Sequence, residues 1–201
     1  MGLLEEPEFK GLHQQVCALH DQSRLLKDLF GNADDLKLLN QCAPSAFFTI
    51  QRSLLDGVIL GIWRIIKDAN TESLTLTALE KQSQGETRKD LSNILAILNV
   101  KTQALVRHRN KRIGHFDFKV AKGSKQLPPV FVDDIESSLA LIRQFMNLFS
   151  ASNGGGQIGY ESGISMGDGK SLVRILRYGA EHINAMRGIV RKKDDEQQSS
   201  A

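Results

Sequence analysis

The sequence predicts an all-α protein, a bundle of five to six helices with a glycine-rich loop before the last one. Two observations carry this. Apolar residues recur at helical spacing along most of the 201 residues, with capping and turn signals between the periodic runs, and no strand-like alternation of useful length or internal repeat interrupts them. A composition of 41% hydrophobic and 24% charged residues suits one globular domain over 1–201, large enough to bury a core without disulfides or metal.

Each element follows from its letters. Phe9, Leu12, Val16, Leu19, Leu26 and Phe30 share one face of a first helix, and Gly31-Asn32 is its stop signal. A second helix from about Ser45 to Lys67 is apolar nearly all round (Phe47, Ile50, Leu54, Val58, Ile59, Ile62, Trp63, Ile66), as a central helix would be, and Gly57 and Gly61 leave room for a neighbour. A short helix carries Leu74, Leu76 and Leu79, capped by Thr71 or Ser73. The next opens with Thr87 to Asp90, a capping-box pattern, and continues through Leu91, Ile94, Leu95, Leu98 and Leu105 to a basic C-terminal end. Residues 116–132 hold Gly123 and Pro128-Pro129 and read as a loop. Asp133 with Glu136 starts a helix striped by Ile135, Leu139, Ile142, Met146 and Phe149. The glycine-rich stretch 153–169 reads as a flexible surface loop, the last helix runs from Leu172 to Val190, and residues 191–201 form a polar, frayed tail.

Several functions are disfavoured at once. The apolar run Phe47 to Ile66 contains Arg52, Asp56 and Arg64, so it reads as a buried helix with no membrane role. The first ten residues carry acid where an export signal carries base, and Cys17 and Cys42 lack metal or redox spacing; a cytoplasmic, reducing setting without metal or cofactor is expected. Gly169-Lys170-Ser171 would need a glycine at 164 to form a nucleotide-phosphate loop, and Ile164 stands there.

The formal charge of +3 identifies no partner, but its grouping is informative. Residues 107–115, RHRNKRIGH, hold four Arg or Lys and two His with no acid among them. Arginine followed directly by a polar residue, then by histidine after five intervening residues (Arg109, Asn110, His115), resembles the signature of the HEPN superfamily. RNKRIGHFD resembles still more closely its abortive-infection, AbiU-like branch, through Arg109, Asn110, Lys111, His115 and Asp117. Gly114 departs from the alanine usual in that branch. Asp56, Arg64 and Asp68 on the apolar helix, followed by Ser73 to Leu76, are similar as well, and the likeness in helix order covers residues 5–150.

The resemblance implies a HEPN-type bundle and a metal-independent endoribonuclease of a phage-defence or toxin system. RNA would be the substrate, and a homodimer would bring two Arg/His sets into one cleft across a two-fold axis. A neutralising antitoxin partner fits the same reading. In it Arg109, Asn110 and His115 are catalytic, Arg107, Lys111 and Arg112 bind RNA, and Asp117, Asp56, Arg64 and Asp68 support them. The chemistry suits the residue types, because imidazole titrates near neutrality and guanidinium clamps phosphate. On an unbroken helix Arg109 and His115 stand about 120° apart, so one helix leaves the pocket incomplete. Plainer origins remain open: cations in a last helical turn complement its dipole, and a histidine beyond it can cap. The alternative function is a non-catalytic HEPN-like module binding RNA, nucleotide or a partner protein; a purely structural association through the bundle is a third. His13, His20, His108 and His182 have no partner by spacing, and Trp63 with Phe47-Phe48 fits the core.

Overall fold

The structure is a computed structural model that describes residues 3, 6–67, 73–114, 117–162 and 167–198. Their regular structure is all helical, with no strand among the described residues: α1 (Pro7–Phe30), α2 (Ala33–Cys42), α3 (Pro44–Lys67), α4 (Leu76–Gln82), α5 (Gly85–Lys101), α6 (Gln103–His108), a π-helical turn (Arg109–Ile113), α7 (Phe118–Ala121), α8 (Val132–Ser152), a 3₁₀ turn (Tyr160–Ser162) and α9 (Gly169–Gln198). The backbone forms two units, Met1–Arg24 with Arg52–Ile164, and Leu25–Gln51 with Ser165–Ala201.

The first unit holds the larger core. Phe9, Leu12 and Val16 of α1, Val58, Ile59, Ile62 and Ile65 of α3, Leu91 and Leu98 of α5, and Ile135, Leu139, Ile142, Phe145 and Met146 of α8 are buried, the stripes expected from their spacing. Helix α8 packs along α5, and α4 touches both. The Phe9 and Phe149 rings stack at 5.7 Å, and Ser23 of α1 donates to Glu136 of α8 at 3.1 Å. Gly61 sets the approach of α3 to α1: a Cβ there would lie 2.3 Å from Leu19 Cδ2. In the second unit Leu26 and Leu29 of α1, Leu39 of α2, Phe47 of α3 and Val173 of α9 are buried, and α2 packs on α9.

Several boundaries differ from expectation. Asn32, read as part of a stop, also starts α2: its Oδ1 accepts Asp34 N at 2.8 Å and Asp35 N at 3.2 Å. Thr75, not Ser73, caps α4 through the Ala78 N–H; Thr71 lies outside the described residues. The box at Thr87–Asp90 does not form, because α5 already begins at Gly85, whose φ of +59° suits glycine. The long helix expected as far as Arg107 is broken at Thr102, whose buried hydroxyl donates to Leu98 O at 2.8 Å. Helix α8 starts on the bond from Phe131 N to Asp134 Oδ2, which frees Glu136 for Ser23. The loop at 116–132 contains the short helix α7, capped by Asp117.

The glycine-rich stretch is tied down as far as Ser162. Asn147 clasps Ile158 by two bonds, Ser150 Oγ donates to Gly156 O at 2.9 Å, and Tyr160 is 3% exposed. Residues 163–166 lie outside the described residues, and Asp168 caps α9 through Ser171 N. The polar end is helical as far as Gln198.

Helix α3 is less buried than its composition implies. It is the one described helix long and apolar enough to cross a membrane, yet only 22% of that window is buried. Phe48 is 64% exposed, and Phe47 is the one buried residue of the helix before Val58. One of its polar positions, Asp56, meets the motif described next.

Candidate RNA site on the Arg109 turn

The basic motif sits where α6 gives way to a π turn. Gly114 N donates to Arg109 O at 2.7 Å, a bond spanning five residues, so Arg109 to Ile113 form one widened turn in place of the unbroken α-helix expected. Turns of this kind are costly and recur at functional sites. Gly114 fits its tight side: a Cβ there would stand 3.1 Å from Arg109 O and 3.5 Å from the guanidinium carbon.

The three cations of 109–112 are held in different ways. Lys111 Nζ lies 2.8 Å from Asp117 Oδ2. Its ammonium, followed by the Val120 N–H, holds the Asp117 carboxyl below the usual carboxylate range. Arg112 pairs through Nη2 with Asp56 of α3, both side chains about a quarter exposed (23% and 26%). Asp56 is also within 4.0 Å of Arg52. Arg109 has no carboxylate partner among the described residues. Its guanidinium carbon instead lies 3.6 Å from the centroid of the Trp63 ring, and its Nη1 donates to Asn110 Oδ1 at 3.0 Å. Its Nε is buried with no acceptor among the described residues.

Behind the turn, His108 is fixed on both sides. One ring nitrogen, Nε2, donates to Pro128 O at 2.6 Å, which leaves Nδ1 to accept from Arg112 Nε at 3.3 Å. The neutral Nε2–H tautomer satisfies both bonds. A chain of contacts thus runs from the Pro128 loop through His108 and Arg112 to Asp56 on α3. Arg107 is exposed on α6 without an ion pair among the described residues. Arg64 is exposed beside a cavity of about 380 Å³ between α1 and α3, lined also by Gln15, Gln22 and Gly57, and forms no ion pair there. His115 and Asp68 lie outside the described residues. The turn therefore gathers Arg109, Asn110, Lys111, Arg112, Asp117 and Asp56, but not Arg64.

Against this geometry, the HEPN family model described as AbiU2 matches residues 6–151. The chain belongs to the AbiU2 family of HEPN domains. No curated protein and no solved structure matches it. The whole glycine-rich stretch and all of α9 lie beyond the AbiU2 match, whereas the π turn and every ion pair around it lie within it. As a HEPN module of an abortive-infection family, the chain carries Arg109 and Asn110 of its Arg-polar-x₄-His pattern on a locally widened helix.

The sequence does not reveal two members of the site. Trp63, expected in the core, is only half-buried, its ring facing Arg109. His108, without a partner expected from spacing, bridges Arg112 and Pro128, twenty residues away. His108 and Arg112 are four residues apart, a spacing that brings side chains together on a helix and was the available signal. Nothing in the letters places Trp63 opposite Arg109. His13 and His20 also find a partner, since both lie against the Tyr160 ring, at centroid distances of 5.4 and 6.1 Å.

Proposed function

We propose that this AbiU2 protein is a metal-independent endoribonuclease acting in the cytoplasm as part of a phage-defence or toxin system. The observation that carries the reading is Arg109: alone among the cations of 109–112, it has no carboxylate partner among the described residues, and it is fixed beside Asn110 with N–H groups to spare. An uncompensated, oriented guanidinium is suited to an RNA phosphate and to the charge that builds on it during transfer.

In this reading His115 takes the proton from a ribose 2′-hydroxyl, whose oxygen attacks the adjacent phosphorus. The P–O5′ bond breaks, and the departing 5′-oxygen is protonated by a conjugate acid, supplied by the second His115 of a homodimer. The products are a 2′,3′-cyclic phosphate and a 5′-hydroxyl. Arg109 holds the non-bridging oxygens, and Asn110 keeps the guanidinium in register. Arg107 adds backbone affinity directly. Lys111 and Arg112, each held by a carboxylate, contribute by exchanging that partner for phosphate. An antitoxin would neutralise such an activity by covering this face.

The test is a gel of RNA incubated in EDTA with wild-type, His115→Ala and Arg109→Ala proteins. Cleavage by wild type alone is the expected result. Equal cleavage by His115→Ala removes the histidine from the chemistry, and RNA affinity without turnover selects a non-catalytic binding module.

A further inference from the structure

We propose that Trp63 is a positioning residue for Arg109: its indole face fixes the guanidinium plane in the orientation from which it grips an RNA phosphate. This rests on the RNA-site reading above and goes beyond it, since the Arg-polar-x₄-His pattern contains no tryptophan.

The chain has a single tryptophan. It stands on α3 between Ile62 and Ile65, both fully buried, so the backbone beneath the indole cannot shift without opening the core. The ring is half-buried, and the Arg109 guanidinium lies over it at 3.6 Å, well inside the range of a cation–π contact. A carboxylate would also have held the arginine, as Asp117 and Asp56 hold Lys111 and Arg112. It would have neutralised it as well. A π face orients the guanidinium plane while leaving its charge and N–H edges available.

One further observation points to a ligand on that plane. Arg109 Nε–H is buried without an acceptor among the described residues, a donor whose desolvation is recovered only when an acceptor arrives. An anion with several oxygens in tetrahedral array matches the guanidinium edge, and a phosphodiester is such an anion. Stacking also removes rotamer freedom from a long side chain before the ligand binds, which lowers the entropy lost on binding. Lysine at 109 would carry the charge but neither the plane nor the fork.

The test compares wild type with Trp63→Phe, Trp63→Leu, Arg109→Ala and the Trp63→Leu/Arg109→Ala double variant, all full-length. Affinity for a short fluorescein-labelled single-stranded RNA is read by anisotropy, and cleavage of the same RNA by single-turnover kinetics in EDTA. Trp63→Phe keeps a π face and should stay within about threefold of wild type, whereas Trp63→Leu should lose about tenfold in affinity. In the Arg109→Ala background Trp63→Leu should cost nothing more, because the indole acts through the guanidinium. An undiminished loss in that background overturns the proposal, as does a Phe variant as impaired as the Leu variant, or a Leu variant equal to wild type. Should Trp63→Leu not fold, the Arg109 Nε–Hε resonance of the wild-type protein decides: a resolved, slowly exchanging signal upholds a held guanidinium, and an averaged one refutes it. Binding without cleavage ends the ribonuclease reading and leaves the affinity pattern to judge Trp63. No RNA binding by wild type ends both.

Discussion

Asp56 offers the sharpest handle on how the turn is built. Replacing it with alanine removes the carboxylate that pairs with Arg112 and leaves that guanidinium, about three-quarters buried, held only by His108. An exposed pair is worth at most about 1 kcal/mol, and breaking a fully buried one costs about 3–5 kcal/mol. With both partners about a quarter exposed, the loss should fall between these limits, at about 1–2 kcal/mol. For a chain of this length that lowers Tm by about 2–8 °C. Thermal unfolding followed by circular dichroism measures it, and Asp56→Ala/Arg112→Met should recover most of the loss because no buried charge is then stranded. Asp56→Ala alone raises the formal charge from +3 to +4 and releases Arg112 towards a ligand. Affinity for single-stranded RNA should rise, and the slope of log affinity against log salt should steepen by about 0.7 for one added phosphate contact. An unchanged Tm together with an unchanged salt slope would refute the reasoning, since Arg112 would then gain nothing from Asp56.

Three further outcomes are expected. Burial first, then the Arg143 charge, lowers the pKa of His20, so the unfolded chain binds a proton that the folded one resists. Stability should therefore be complete above the ordinary histidine value near 6.5 and fall as pH drops below it; urea midpoints measured across that range should flatten in His20→Phe. Tyr160→Ala removes a buried aromatic ring lying between His13 and His20, and should cost about 3–5 kcal/mol in urea unfolding while opening the glycine-rich stretch to limited proteolysis. Asn32→Ala removes the side-chain cap of α2 and should cost about 1 kcal/mol by the same measurement, whereas Asn32→Asp should be close to neutral.

Helix existence and core faces were legible because burial imposes a period on the letters. The stripes on α1, α5 and α8 are buried as their spacing requires, and the motif Arg109-Asn110 with His115 points to the HEPN superfamily by its letters alone. Boundaries were less legible, since several residues compete for each cap. Ser73 and Thr75 both suit an N-cap, and only the packed position of Leu76 and Leu79 selects Thr75. Asn32 signals a stop and a start with the same side chain.

The sequence by itself determined the all-α class, the family and the identity of the basic turn, because these depend on periodicity and on residues adjacent in the chain. Only the tertiary structure decided which cations of that turn are paired, that it is widened by one residue, and that Trp63 and Asp56 meet it from 46 and 56 positions away. The physical reason is that a charge pair or a ring stack is set by distances of a few ångströms between elements remote in sequence, and no local pattern encodes how α3 lies against the Arg109 turn.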